Sequence, residues 1–141
     1  MTFVDTNIFV YLFDRTDPAK SDACHKELDR LGQDVVLSTQ VLSEFLNSVG
    51  RERRGGSKLL DDLSARVAVE GIIARYRVVE LAAQDIVAAA RLREAMPISL
   101  WDAQIVAVAA RAGCDTLLTE DLQHGQTIEG VAVRSPFRAA G

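Results

Sequence analysis

The sequence lacks the features that would assign it to a membrane, to secretion or to a disulfide-stabilised scaffold. No apolar run approaches the ~20 residues that a membrane-spanning helix needs. Asp5 and Asp14 interrupt the first apolar stretch, which argues against a signal peptide. The two cysteines, Cys24 and Cys114, show no metal-ligand spacing, so a reducing cytoplasm is the expected location. A net charge of −4 argues against indiscriminate nucleic-acid binding, although not against a local basic patch.

The chain also lacks internal repeats and any linker long enough to divide it. Its 141 residues are the size of one domain, and 48% hydrophobic with 26% charged residues is typical of a globular chain. The pair Gly55-Gly56 is interpreted as a loop between helices. We therefore predict a single domain spanning residues 1–141.

Short apolar runs alternate with longer helical patterns, which predicts a parallel sheet covered by helices on both faces. Glycines at 32, 50 and 113 fall where helices are expected to stop, and the proline at 97 separates two helices. The predicted strands are Thr2 to Val4, Val35 to Ser38, Arg77 to Leu81, Thr116 to Thr119 and Val131 to Arg134. The predicted helices are Ala19 to Leu31, Gln40 to Arg53, Leu59 to Arg75, Ala83 to Ala95 and Leu100 to Arg111.

Four acidic residues lie where the chain turns out of an apolar segment. Asp5 follows the first strand, Asp121 follows the fourth, and Glu44 and Asp102 lie near the starts of two helices. Since the ends of parallel strands meet at one edge of a sheet, these acids are expected to share a pocket. Clustered carboxylates repel one another unless a cation lies among them, and their oxygens suit Mg²⁺ or Mn²⁺. This pattern favours a metal-dependent hydrolase over a binding module.

Each acid also has an ordinary structural interpretation. Asp5 is suited to cap a helix, and Glu44 lies at the edge of an apolar stripe, where an exposed side chain is common. Ser99 and Asp102 are spaced as in a capping box, although the apolar helix that carries Asp102 must be largely buried. Asp121 fits a polar loop after a strand, and its neighbour Glu120 is an alternative candidate for the site.

The segments around these acids resemble the four acidic motifs of the PIN domain, and the length is similar to that of bacterial toxins of the VapC type. The resemblance implies a three-layer α/β/α sandwich with a five-stranded parallel sheet of order 3-2-1-4-5. It also implies a Mg²⁺- or Mn²⁺-dependent endoribonuclease that forms a homodimer and is inhibited by a cognate antitoxin. By position, Asp5, Glu44, Asp102 and Asp121 become the metal-binding catalytic acids, with Asn7 and Thr119 in support. The motifs are Phe3-Val4-Asp5-Thr6-Asn7, Ser43-Glu44-Phe45, Ser99-Leu100-Trp101-Asp102-Ala103 and Leu117-Leu118-Thr119-Glu120-Asp121.

RNA must also be held by its phosphates, and the densest basic cluster follows the helix that carries Glu44. Favourable charge at a helix C-terminus is the ordinary explanation of such a cluster; RNA binding is the functional one. Two other functions compete with the nuclease: a catalytically silent PIN-like scaffold that binds protein or RNA, and an aspartyl-phosphate phosphatase or receiver. The last is disfavoured because position 7 is Asn and no lysine follows Lys58. The cluster comprises Arg51, Arg53, Arg54 and Lys58.

Overall fold

The computed structural model describes residues 1–138, and its sheet has the predicted parallel order. Residues 139–141 of the predicted 1–141 domain lie outside the described residues. The strands are β1 (Thr2–Val4), β2 (Val35–Ser38), β3 (Arg77–Val79), β4 (Thr116–Leu118), β5 (Thr127–Ile128) and β6 (Val131–Arg134). They lie in the order β3-β2-β1-β4-β6-β5, and all pairs are parallel except β5 with β6. The five parallel strands confirm the predicted order, and the short antiparallel β5 is an unpredicted sixth strand.

Helices connect the parallel strands and cover the sheet. They are α1 (Thr6–Tyr11), α2 (Pro18–Leu31), α3 (Thr39–Gly50), α4 (Asp62–Arg75), α5 (Ala83–Ala95) and α6 (Leu100–Arg111). Because parallel crossovers are right-handed, α1 to α4 lie on one face and α5 and α6 on the other. Contacts of α3 with α1 and α4, and of α5 with α6, agree with this division. In the part of the chain that the structure describes, no helix has both the length and the apolarity that a membrane span requires.

The core lies between the sheet and these helices. β1 and β2 are buried along their whole length, as expected for central strands covered on both faces. Phe9 of α1 and Phe45 of α3 are fully buried on one side of the sheet. On the other side, residues 103–109 of α6 are all buried. The apolar composition of α6 therefore reflects its position against the sheet, which brings the start of this helix to the carboxyl edge of the strands.

The predicted boundaries were wrong on both sides of the basic loop. α3 ends at Gly50 instead of Arg53, because Arg51 has extended backbone (φ −77°, ψ 134°). α4 begins at Asp62 instead of Leu59, because the Asp61 side chain accepts a hydrogen bond from the Ser64 amide and caps the helix there. The basic cluster consequently lies in a loop after α3. Helix α1, which immediately follows β1, was not predicted.

Candidate metal centre

Three of the four predicted acids meet at the carboxyl edge of the sheet. Asp5, Asp102 and Asp121 each place a carboxylate oxygen within 4.8 Å of the corresponding oxygens of the other two. Asp5 directly follows β1 and Asp121 lies in the loop after β4, and a hydrogen bond from the Asp5 amide to the Leu118 carbonyl (3.0 Å) joins the ends of these strands. Asp102 comes from the first turn of α6. The cluster is therefore assembled from segments that are far apart in the sequence.

Asp5 is buried and held through both carboxylate oxygens. Its Oδ1 accepts a hydrogen bond from the Thr6 amide (2.7 Å), so Asp5 also caps α1, as its structural interpretation predicted. Its Oδ2 accepts a hydrogen bond from the Thr119 hydroxyl (2.7 Å). These two bonds fix the carboxylate orientation, and the structural role of Asp5 is compatible with a role in the site.

Thr119 and Asn7 connect Asp5 to the exposed Asp121. The Thr119 hydroxyl accepts a hydrogen bond from the Asp121 amide (3.1 Å) while donating to Asp5. The Asn7 side-chain amide donates to Asp121 Oδ2 (3.0 Å) and, more weakly, to the Thr119 hydroxyl (3.4 Å). Asn7 Oδ1 is buried without a hydrogen-bond partner among the described residues. Both residues, which the sequence predicted as supporting residues, thus lie beside the acids and form hydrogen bonds with them.

Glu44 borders the cluster but does not belong to the group of three. Its two carboxylate oxygens accept hydrogen bonds from the Thr6 hydroxyl (2.9 Å) and from the Gln40 side chain (2.6 Å). It shares a cleft with Asp102 and Asp121. Glu44 therefore faces the site and adds negative charge there, while its orientation is set by neighbouring side chains.

Asp102 does not form the capping box that its spacing with Ser99 suggested. The Ser99 hydroxyl accepts a hydrogen bond from the Asp102 amide (3.1 Å), so the serine caps α6. Within residues 1–138, the Asp102 carboxylate forms no hydrogen bond with the Ser99 amide in return. The carboxylate is half-buried beside Asp5 and Asp121.

The electrostatics of the cluster are those of carboxylates without a counter-ion. Burial, reinforced by the charges of Asp121 and Asp102, raises the pKa of Asp5 from 3.8 to about 7. Burial and neighbouring acids also raise the pKa values of Asp102 and Asp121. None of the salt bridges found within residues 1–138 includes these three acids or Glu44. A bound cation would remove this penalty.

The donor set fits a hard divalent cation. It consists of carboxylate oxygens, which Mg²⁺ and Mn²⁺ prefer, and histidine and cysteine are absent from the group of three. The spacing of the oxygens leaves them close enough to share one ion. Asp5, Asp102 and Asp121 would be its protein ligands, with Glu44 beside them.

Glu120, the alternative candidate for the site, is engaged elsewhere. Its carboxylate accepts hydrogen bonds from the Tyr11 hydroxyl (2.6 Å) and from Lys20 Nζ (3.1 Å). The Lys20 ammonium also lies 5.0 Å from the centroid of the Tyr11 ring. This arrangement anchors the loop after β4 to α1 and α2. It therefore holds the neighbouring Asp121 in place and leaves Glu120 outside the cluster.

The basic cluster is divided by the structure. Arg51 and Arg53 line a cleft of about 520 Å³ together with Glu44 and Asp121. Arg54 and Lys58 are exposed and lie outside the walls of this cleft. Only the first two are therefore placed to contact a molecule that also reaches the acids.

Two supporting glutamines were not predicted. Gln40 donates to Glu44 and to the Trp101 carbonyl (3.2 Å), and its own side-chain oxygen accepts from Gln104 (2.9 Å). Both glutamines are more than nine-tenths buried and connect α3 to α6. The sequence contained a signal for them: Gln104 is one of few polar residues in an apolar helix, and Gln40 lies one helical turn before Glu44.

The fold and the clustered acids place the chain among parallel α/β domains with an acidic centre at the carboxyl edge of the sheet. The sequence matches the PIN domain over residues 2–128, and the chain belongs to the PIN-domain family. A comparison with curated protein sequences gives no significant match.

Solved structures of toxin–antitoxin proteins have a similar fold. The toxin VapC20 of Mycobacterium tuberculosis, described as cleaving the sarcin-ricin loop, is 24% identical over 83% of this chain and 87% of its own, with a TM-score of 0.62. FitAcB of Neisseria gonorrhoeae is 21% identical over 99% and 100%, with a TM-score of 0.70. VapBC2 of Rickettsia felis, bound to a promoter DNA fragment, is 18% identical over 95% and 97%, with a TM-score of 0.68. At these identities the similarity establishes the fold.

Proposed function

We propose that this PIN domain is a divalent-metal-dependent endoribonuclease and the toxin of a toxin–antitoxin pair, with residues 1–141 forming one nuclease domain. The observation that carries the proposal is the group of three carboxylates whose oxygens lie within 4.8 Å of one another, with no salt bridge to a basic side chain within residues 1–138. Such a group is costly to maintain: ionising Asp5 costs on the order of 4 kcal/mol more than in water. The structural similarity to VapC20, described as a toxin that cleaves the sarcin-ricin loop, supports RNA cleavage and toxicity as the function of this group.

The proposed roles follow from the geometry. A bound Mg²⁺ or Mn²⁺ would neutralise charge on the scissile phosphate and make a water a better nucleophile. Asp5, fixed by Thr6 and Thr119, is the central ligand, and Asp102 and Asp121 complete the set. Glu44 shares a cleft with Asp102 and Asp121 and would help to hold the metal or its bound waters.

RNA cleavage by the purified protein tests the activity. With Mg²⁺ or Mn²⁺ the wild type should cleave RNA, and a chelator should stop it. Replacing Asp5 by Asn keeps the size of the side chain but removes its charge, so cleavage should fall more than about 100-fold. The control Asp62→Asn removes an exposed acid of α4 and should cleave like the wild type. Metal-independent cleavage, or an active Asp5→Asn protein, would contradict the proposal, and a folded but inactive wild type would favour the silent scaffold.

Growth tests the toxin assignment. Expression of the wild type should arrest growth, and the Asp5→Asn variant should not. Co-expression of the cognate antitoxin should restore growth and yield a stable complex. If cells that express the enzymatically active protein grow normally, the nuclease assignment holds and the toxin assignment is wrong.

The remaining part of the proposal is a homodimer. Ile86 and Val87 of α5 are 42% and 51% exposed and offer an apolar surface, whereas Leu92 of the same helix is buried in the core. A self-complementary contact is the usual way to cover such a surface. Sedimentation should show a dimer at micromolar concentration; a monomer there would contradict it.

A further inference from the structure

An exposed tryptophan stands beside the acidic cluster. Trp101, the only tryptophan of the chain, is 62% exposed and directly precedes Asp102. Every other aromatic residue within the described range 1–138 is buried or partly buried. Keeping a large indole in water forgoes the favourable free energy of its burial. An exposed aromatic next to a reactive site therefore calls for a ligand.

The indole and the acids share one cleft. Trp101 lines a space of about 500 Å³ whose other walls include Glu44, Asp102 and Asp121. The neighbouring cleft, which contains Arg51 and Arg53, shares Glu44 and Asp121 with it. A chain molecule that crosses the acids consequently meets positive charge on one side and an aromatic surface on the other. Alternating charged and flat aromatic groups are the chemistry of a single nucleic-acid strand.

The backbone beneath the indole is fixed. Gln40 donates to the Trp101 carbonyl, and Gln104 holds Gln40 in turn. Trp101 is also in the first turn of α6, which Ser99 caps. A surface side chain on a fixed backbone loses less freedom when it binds a ligand, so this position is suited to recognition.

We propose that Trp101 stacks on an unpaired nucleobase of the RNA beside the scissile phosphate. The inference rests on the proposed ribonuclease function and adds a base site to it. The π-face of any base can stack on an indole, so the site selects an unstacked, single-stranded nucleotide more than a particular sequence. Bases within a duplex are excluded because the neighbouring base pairs already stack on both of their faces.

Indole fluorescence tests the contact directly, since all tryptophan emission comes from position 101. In the Asp5→Asn protein, which should leave RNA intact, a short single-stranded RNA is titrated while its binding is followed by anisotropy of a labelled end. The emission should be quenched in step with binding. In a series of RNAs that each carry one abasic nucleotide at a different position, only one position should abolish the quenching. A duplex RNA should quench the emission less than a single strand does. Binding without quenching, or quenching that no abasic position changes, would overturn the base site.

Substitutions measure its contribution. Trp101→Ala should weaken RNA binding about five- to 150-fold, the range expected for the loss of one stacked base, and Trp101→Phe should retain most of the affinity. Leu63→Ala is the matched control because Leu63 is 64% exposed on α4 and lines neither cleft. Unchanged RNA affinity of Trp101→Ala would overturn the inference, and a change in sedimentation alone would assign Trp101 to a protein contact.

The two proposals fail in different ways. If Asp5→Asn is inactive while Trp101→Ala binds and cleaves like the wild type, the nuclease stands and the base site is wrong. If the wild type shows no metal-dependent cleavage but an abasic position still controls the quenching, the base site stands and the nuclease is wrong.

Discussion

Two aspartates of this chain are equally buried and have opposite surroundings. Asp5 is 4% exposed and Asp85 is 2% exposed. Asp85 accepts two hydrogen bonds from the Arg111 guanidinium, from Nε (2.7 Å) and Nη2 (2.8 Å), and these lower its pKa. Asp5 has hydrogen bonds but takes part in no salt bridge within residues 1–138, and burial raises its pKa to about 7.

The difference separates a carboxylate that is paired within the protein from one that no salt bridge in residues 1–138 neutralises. Asp85 is ionised, satisfied by Arg111 and also bonded to the Ala82 amide at the start of α5, so α5 and α6 are tied together. Asp5 is held in a fixed orientation beside two other acids, and its charge is left uncompensated. A buried acid that no basic side chain neutralises is a candidate site for an external cation.

The largest stability difference should appear in the pH dependence of unfolding without metal. The unfolded chain releases the Asp5 proton near pH 4, but the folded protein keeps it until about pH 7. The free energy of unfolding should therefore fall as pH rises through this window, by up to about 4 kcal/mol. Asp102 and Asp121 shift the stability in the same direction. Asp85 acts oppositely: its stabilisation is present above its ordinary pKa of 3.8 and is lost as pH falls through its lowered value.

Urea denaturation in chelator between pH 4 and pH 8 measures this dependence. In the Asp5→Asn variant the decline should be much smaller, and near pH 8 the variant should be at least as stable as the wild type. If the free energy of unfolding falls equally with pH in the two proteins, Asp5 is not an uncompensated acid.

The next effect concerns the paired carboxylate. Arg111→Met keeps much of the side-chain volume but leaves Asp85 buried without its cation. The free energy of unfolding should fall by about 3 kcal/mol. This value is the low end of the range for breaking a buried ion pair, because Arg111 is one-third exposed. Arg66→Met, which breaks the exposed pair with Glu70, should change stability by no more than ~0.5 kcal/mol. If the two substitutions shift the urea midpoint equally, the Asp85–Arg111 pair stabilises the fold no more than an exposed ion pair does.

The smallest effect is expected from the arginines that face the acids. Arg51 and Arg53 line the cleft beside Glu44, whereas Arg54 and Lys58 do not. Replacing the first pair by alanine should weaken RNA binding and reduce the slope of log affinity against log salt by about 0.7 per lost phosphate contact. Replacing the second pair should change the slope less. If the second pair has the larger effect, RNA follows a different path over the loop.

The sheet and the identities of the clustered acids could be predicted from the sequence because both depend on local patterns. Each parallel strand is a short apolar run, and three of the strands have the predicted bounds. α1 was missed because its six residues show too little periodicity, and β5 because it has two residues. The end of α3 was missed because Arg51 to Arg54 continue a pattern that is compatible with a helix.

What could not be predicted depends on contacts between distant segments. Nothing near Glu120 in the sequence indicates that Tyr11 and Lys20 engage it, over separations of 109 and 100 residues. The same holds for the hydrogen bond from Thr119 to Asp5, 114 residues apart. The division of the basic cluster also required the three-dimensional path of the loop. The positions of the acids after apolar segments, together with the resemblance to the PIN motifs, predicted a cluster of four acids. The structure groups three of them, and the side chains that orient them became visible only there.

The measurement that tests the central claim most directly is the melting temperature of the metal-free protein as Mn²⁺ is added. A ligand that binds only the folded state stabilises it by mass action, by about 2.7 kcal/mol at 100 times its dissociation constant. The wild type and the Asp62→Asn control should therefore melt at progressively higher temperature as Mn²⁺ rises, while the Asp5→Asn variant should respond much less. An equal rise in all three proteins, or no rise in the wild type, would contradict the assignment of Asp5, Asp102 and Asp121 as a metal centre.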